Sequence, residues 1–599
     1  MFEKWLANHD ISQINFDGKL FPTAADRVFW SGCMGQTEIR EAEKYIGYDW
    51  PMLRASHFLK FHKEGDRLAY ENPYFARRTA LVRLLLGELS EYQGRFLPEL
   101  CDGVLLVCEE TYWGLSAHTW GRQLPPVDDP LIDLFAAETA EFMAVLRYLF
   151  ADALGEYCLA LLERIDYELE RRILKPYLAH TDFVWMGYHG RRVNNWNPWI
   201  LSNILTVFLL QVKDRAILDT GIRKMCKELD FYYLHMPDDG GCDEGPNYWD
   251  VAGGRVFVFC DRLYVFSGGE VDLFGDRKLQ NILSFPIHAH ISGCRFANFA
   301  DGSSCIMDDN DYIFYINGLR IAQPRLCALA STMKAAQAQK GPVHLRRIGA
   351  LCAELYGRIY SREIENYPQL PSHQTGFLPD TQLAFFHRED WYFAAKGGFN
   401  AESHNHNDVG NFMVYHKGAP VLIDPGCGVY RKETFQPALR YQIWTMQSCW
   451  HCLPTINGCD QLFGQEYRAD HFQAEENGVV VSFSGAYPPE SGAATITRKL
   501  CKEEDRLLLT DNFVFDHEKN TVTENFMTPL LPEVGERGVL LGGKYLLSCD
   551  MPCEIQIDKQ EIREDPKLYG DWNTDTLYRI RMTVSCGKTW TGTVTLKEV

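Results

Sequence analysis

Asn366-Tyr367-Pro368-Gln369-Leu370-Pro371 splits this 599-residue chain into two parts whose apolar residues repeat with different periods. Before it the period is helical. Leu131, Leu134, Phe135, Phe142, Val145, Leu146, Leu149 and Phe150 recur at i, i+3 and i+4, with acidic residues and Arg147 on the opposite face. Similar runs at 155–178, 198–230 and 346–360 are separated by Gly, Pro or Asn breaks, so the region from about Leu81 to Tyr360 reads as many helices in succession. Such a chain forms a bundle, a solenoid or a closed α/α toroid. After the divide the period drops to two, as in Gly478-Val479-Val480-Val481-Ser482-Phe483, Leu507-Leu508-Leu509-Thr510 and Thr591-Gly592-Thr593-Val594-Thr595-Leu596. Short strands broken by Gly, Asp and Asn imply an antiparallel β-sandwich. The expected organisation is therefore a helical unit over 1–370 and a sandwich over 371–599.

Composition narrows the function. Hydrophobic residues make up 46% and charged residues 23%, an ordinary globular balance. Sixty basic against 80 acidic residues give a net charge of −20, which disfavours nucleic acid as a partner. A polyanionic substrate would need a local basic pocket. No run approaches the ~18 apolar residues of a membrane span, so no membrane partner is expected. The opening Met1-Phe2-Glu3-Lys4-Trp5-Leu6 lacks the pattern of an export signal. The expectation is a cytoplasmic protein whose 19 cysteines are mostly reduced thiols, with a homodimer allowed as its assembly.

The densest chemistry lies in Ser403-His404-Asn405-His406-Asn407-Asp408-Val409-Gly410-Asn411-Phe412, followed by Val421-Leu422-Ile423-Asp424-Pro425-Gly426 and Trp450-His451. On a strand, His404 and His406 would point to one face and converge. An Asp and a third His from neighbouring segments would complete an N/N/O set suited to zinc. The plainer reading makes these polar loop and capping residues.

These segments resemble the heparinase II/III-like family of polysaccharide lyases. The resemblance extends to Asp243-Glu244-Gly245-Pro246-Asn247-Tyr248-Trp249, to Asn194-Asn195-Trp196-Asn197 and to Glu109-Glu110 with Trp113-Gly114, four motifs in family order. It implies an incomplete (α/α) toroid followed by an antiparallel β-sandwich. The implied activity is β-elimination on a uronic-acid-containing oligosaccharide, leaving a C4=C5 unsaturated product. Glycosaminoglycan fragments of the heparin, heparan sulfate or hyaluronan kind are the first expectation and alginate the second. Tyr248 matches the family's acid, in some members both acid and base, and His404 the base or its proton partner. His406, Asp424 and His451 match ligands of one structural Zn2+. The resemblance thus separates two histidines that strand geometry alone would place on one metal.

Elimination also needs a group to neutralise the uronate carboxylate. Many relatives carry Asn-Asn-His at this point; here Trp196 replaces the histidine, which leaves Asn195, or Asn194 or Asn197, as an amide donor. An amide carries no formal charge, and an Asn before Pro198 also suits a helix N-cap. Glu244, Trp249, Tyr430, Arg431, Arg440 and Tyr441 complete the candidate substrate contacts; a guanidinium can pair bidentately with carboxylate or sulfate. Trp113, His118 and Trp196 are further candidates for stacking on sugar faces.

Two other functions compete. A glycoside hydrolase on an α/α toroid would use paired acids, with Asp243 and Glu244 the candidates. A non-catalytic carbohydrate-binding relative would keep the metal and lose turnover. Cys449-Trp450-His451-Cys452 has redox spacing without the βαβ setting of a thioredoxin. Asp308-Asp309-Asn310-Asp311 lacks the ligand spacing of a calcium loop. No nucleotide-binding or serine-hydrolase motif is present.

Overall fold

The computed structural model describes residues 1–190, 192–306, 311–340, 351–371 and 375–599. Two of the expectations above touch residues outside that set: most of the Asp308–Asp311 run and the start of the 346–360 helix.

Helices fill the N-terminal part as successive hairpins. Leu134–Leu149, Trp196–Gln211, Gly253–Phe266 and Asp311–Arg320 are buried around nearly their whole circumference. Each is followed by a partner, Ala151–Leu169, Arg215–Tyr233, Arg277–Ala289 and Pro324–Lys340. A helix apolar on every side must be enclosed by others, whereas one with a polar face borders solvent. The first set therefore forms an inner ring, with Trp196–Gln211 packed between Leu134–Leu149 and Gly253–Phe266, and the second an outer one: an incomplete (α/α) toroid. Side-chain caps fix several starts, with Asp133, Asp214 and Asp276 accepting from backbone N–H groups of the first turn. The expected run at 198–230 is two helices, because the chain turns at Val212–Asp214 before Asp214 caps the second. Among the described residues no helix is long and apolar enough to cross a membrane.

The C-terminal part is antiparallel throughout, with an eight-stranded, a four-stranded and a five-stranded sheet. Burial alternates along Arg506–Phe515, as in a strand with one face on a core. Trp391–Lys396 is instead buried at every position. Its sheet serves two cores. Tyr392, Ala394, Met413 and Tyr415 pack with the helical residues, while Trp391, Phe393, Ala395, Phe412 and Val414 pack with the sandwich.

A loop from the helical part pins the two together. It begins with the hairpin His290–Ser292 and Arg295–Phe296, and the Cys294–Cys305 disulfide closes it. Asn298 donates to the Asp424 carbonyl at 3.1 Å, and Ser304 to that of Asp571 at 3.2 Å. Asp301 stands at the tip. Cys449 and Cys452 carry free thiols, as do most of the other cysteines.

Candidate active site

Gly245, at φ +84°, sets the one-turn helix Pro246–Trp249; a Cβ there would lie 2.5 Å from the Phe299 carbonyl. Neighbouring side chains then part. Trp249 enters the toroid core, 1% exposed, donating Nε1–H to the Ile282 carbonyl at 2.8 Å and stacking on Phe314. It has no surface to offer a sugar, which corrects its assignment as a substrate contact; Trp113, equally buried beneath the Arg172 guanidinium, is likewise a packing residue. Tyr248 turns the other way, and its ring stacks on His404 with centroids 4.3 Å apart. Its hydroxyl hydrogen-bonds that of Tyr430, which donates to Asp301 Oδ2 at 3.0 Å. Burial pushes both phenols above their ordinary range, so each holds its proton in the resting protein.

Ser403 and His404 lie in a turn and Asn405 to Asn407 follow as irregular chain; the strand begins at Phe412. His404 adopts left-handed φ of +55°, a conformation that costs a non-glycine residue about 1–3 kcal/mol. The expectation of a common strand face is thereby corrected: the two histidines diverge. They rejoin through Asp301. His404 Nδ1 reaches Asp301 Oδ2 at 2.9 Å and His406 Nε2 reaches Oδ1 at 2.9 Å. Burial works against charge on Asp301, yet hydrogen bonds from both histidines hold its carboxyl well below the usual range. An ionised Asp301 accepts, so His404 donates from Nδ1 and keeps a lone pair on Nε2. That nitrogen faces Glu244 Oε2 at 3.8 Å. Burial works to lower the His404 pKa, but the Asp301 hydrogen bond and the Glu244 charge raise it.

The three asparagines have three fates. Asn194 is exposed and accepts from the Trp196 N–H, 3.3 Å, taking over the capping role. Asn195 occupies the N-cap position without capping; its amide donates to Glu244 Oε2 at 3.1 Å. Asn197 is fully buried and donates to the Trp185 and Glu228 carbonyls, so its assignment to substrate is corrected to a structural one. Burial pushes Glu244 up to about 7.

Arg440 also changes role. Its guanidinium is consumed by the Asn405 and Thr434 carbonyls and by Asp301 Oδ1 at 2.8 Å, leaving it a tie between loops rather than a free clamp. Arg431 is exposed. Tyr441 is half-buried, its ring on Phe463 and its hydroxyl 3.5 Å from the Asn405 amide. His118 packs against Trp196 and pairs with Asp133 at 2.7 Å.

Below His404, ligand atoms of His406, Asp408, Asp424 and His451 lie within 4.8 Å of one another, all fully buried. His406 gives Nε2–H to Asp301 and His451 gives Nε2–H to the Thr445 carbonyl at 3.0 Å, so both Nδ1 atoms carry lone pairs inward. His406 Nδ1 and Asp408 Oδ2 are buried with no hydrogen-bond partner. Two orphaned acceptors in such a cluster, beside an ionised Asp424, fit a divalent cation, and a nitrogen/oxygen set of this kind suits zinc. Lys396 flanks the group, its ammonium 2.8 Å from Asp408 Oδ1 and 3.0 Å from Glu402 Oε2.

Residue pattern alone assigns no role to Asp301 and no ligand position to Asp408. Asp408 lies within the histidine-rich stretch from Ser403 to Phe412, which is a usable signal; Asp301 has only a following glycine to mark it as a turn.

Residues 371–519 match the family described as Heparinase II/III-like, C-terminal. Among solved structures the chain resembles heparinase III, with TM-score 0.64 and 11% identity over 100% of this chain and 89% of that one. A mutant heparan sulfate lyase from Pedobacter heparinus gives 0.61 and 11%, covering 100% and 87%. A mutant chondroitin AC lyase from Streptomyces coelicolor gives 0.54 and 10%, covering 100% and 82%. At such identities the likeness is one of fold, and it extends over toroid and sandwich together. No curated protein matches the chain.

Proposed function

We propose that this protein, whose sandwich begins with a heparinase II/III-like C-terminal domain, is a polysaccharide lyase that cleaves uronic-acid-containing oligosaccharides by β-elimination. The observation that carries the reading is the Asp301–His404 pair set against the Tyr248 ring. A carboxylate fixing Nδ1–H leaves Nε2 as a directed base, and a protonated phenol is stacked within reach as an acid.

In this reading His404 Nε2 takes the C5 proton. The Asn195 amide and the protonated form of Glu244 hydrogen-bond the uronate carboxylate, replacing the imidazole missing at Trp196. Tyr248 donates its hydroxyl proton to the departing O4, and its bond to Tyr430 links it to Asp301 for reprotonation. The bond between C4 and O4 breaks as the C4=C5 double bond forms. Zn2+ held by His406, Asp424 and His451, with Asp408 as a fourth donor, would cross-link the loops under the cleft and hold no substrate atom. Glycosaminoglycan fragments are the first substrate class, alginate the second; the heparan sulfate and chondroitin lyases that share the fold support that order.

The test is ultraviolet absorbance of purified protein with a panel of uronate oligosaccharides. Absorbance that rises with one substrate and is lost in Tyr248→Phe is the expected result. New reducing ends without absorbance would replace elimination with hydrolysis and move attention to Asp243 and Glu244. Binding without any product would leave a carbohydrate-binding relative.

A further inference from the structure

The groups around Tyr248 are acidic. Asp301 and Glu244 flank His404, and Asp243 directly precedes Glu244 in sequence. An anionic saccharide entering there needs positive charge; Arg431 is exposed beside Tyr430, and three other nearby cations are already paired with carboxylates. Arg440 serves Asp301, Lys396 serves Glu402 and Asp408, and Arg192 lies 3.4 Å from Asp243.

Lys567 differs. It sits on the short helix Pro566–Trp572, which the sandwich delivers near the end of the chain. Asp565 positions that segment, accepting from the Lys567 and Leu568 N–H groups and from Val429 N–H, one residue before Tyr430. The Lys567 ammonium lies 5.2 Å from the centre of the Tyr430 ring and donates to the Asp301 main-chain carbonyl at 3.0 Å. That partner is neutral, so the charge is not cancelled, and two of the three ammonium protons are left for another acceptor. The residue is half-buried, open enough for a ligand to reach.

The imidazole of His404 orders the cleft. Its Nε2 edge faces Glu244 and, through it, Asn195; its Nδ1 edge faces Asp301 and Tyr430. Lys567 belongs to the second side. The reacting uronate, whose carboxylate goes to Asn195 and Glu244, occupies the first. We infer that Lys567 is a substrate-binding residue that takes an anionic substituent, carboxylate or sulfate, of the sugar across the scissile bond from the reacting uronate. This rests on the lyase reading above and adds to it a selectivity for saccharides charged on both sides of the cleaved bond.

The test compares wild type with Lys567→Gln and Lys567→Arg, using matched uronate oligosaccharides whose neighbouring sugar is sulfated, carboxylated or neutral. For the charged pair, Lys567→Gln should raise KM roughly tenfold with kcat kept, as for loss of one charge-assisted contact. The neutral substrate should be unaffected, and Lys567→Arg should restore most of the affinity. Whichever of sulfate and carboxylate responds names the substituent. An equal KM rise on all three substrates, or a fall in melting temperature that accounts for the loss, would make Lys567 only a strap for the Asp301 loop and overturn the inference. So would an effect that follows Arg431→Gln instead. If wild type shows no turnover, the lyase reading fails separately. Calorimetric binding of the same saccharides still decides Lys567, because a charge-dependent loss of affinity in Lys567→Gln does not need catalysis.

Discussion

Two polar clusters meet at Asp301 and are built on opposite terms. The cleft cluster, Tyr248, Tyr430, His404, Glu244 and Asn195, draws on both halves of the protein and keeps an open edge; the His404 side chain is 24% exposed. The metal-type cluster, His406, Asp408, Asp424 and His451, comes from the sandwich alone and is sealed. In the first, the described hydrogen bonds pair phenol, imidazole and carboxylate with one another. In the second, two acceptors stay unpaired. A closed network of protein partners suits groups that exchange protons with a visiting substrate, whereas buried orphans call for a resident ion. One carboxylate serves both, Oδ2 above and Oδ1 below.

The contrast can be broken most forcefully by crossing the two clusters. Tyr248→Phe should lower kcat by about 10²–10⁴-fold while leaving the melting temperature and the zinc content near wild type. His451→Ala, or removal of the metal by a chelator, should do the reverse: metal content and melting temperature fall first, and activity declines only as the loops loosen. Elemental analysis beside calorimetry separates the patterns. Equal effects of both on stability would mean that the clusters are one structural unit.

A smaller effect sharpens the place of Asp301. The Cys294–Cys305 disulfide closes the loop that presents it. Replacing both cysteines by serine should cost about 2–3 kcal/mol by the loop-entropy argument, read by denaturant unfolding. It should also lower activity and metal retention together, since Asp301 orients His404 and His406 alike.

The mildest test is pH. Glu244 is pushed up to about 7, mainly by burial, from an ordinary value of 4.5. The folded protein therefore binds a proton more tightly at this site than the unfolded chain, and the associated stability is lost as pH rises from about 4.5 through about 7. The carboxylate-binding form of Glu244 disappears over the upper part of the same range, with His404, Asp243, Arg192 and Asp301 as its charged surroundings. Wild-type kcat/KM should decline above about pH 7, and Glu244→Gln, which mimics the protonated acid, should flatten that limb and the stability slope. An unchanged limb in the variant would remove Glu244 from carboxylate binding.

Much of this is legible in the chain of residues itself. The change of apolar period marks helices ahead of antiparallel strands, because burial on one helix stripe or on one sheet face leaves its period in the chain. The residue types around His404, His406, Asp424 and His451 point to a nitrogen/oxygen metal set, because such a site needs few kinds of side chain, whereas the proton-transfer roles of Tyr248 and His404 are implied only by the resemblance of their motifs to the heparinase II/III-like family. Residue identity alone does not decide direction. Trp249 and Asn197 have the chemistry of sugar contacts but face a core, while Arg440 spends its guanidinium on loops. The split between His404 and His406 depends on one left-handed residue that no periodicity encodes. Asp301, 103 residues before His404, and Lys567, 266 residues beyond Asp301, have no local pattern at all. Sequence determined which elements form, since burial leaves its period in the chain, and its motifs nominated side chains for the chemistry through family resemblance. Tertiary structure decided which of those side chains share a carboxylate and which face a cleft, since that depends on where distant loops are pinned between toroid and sandwich.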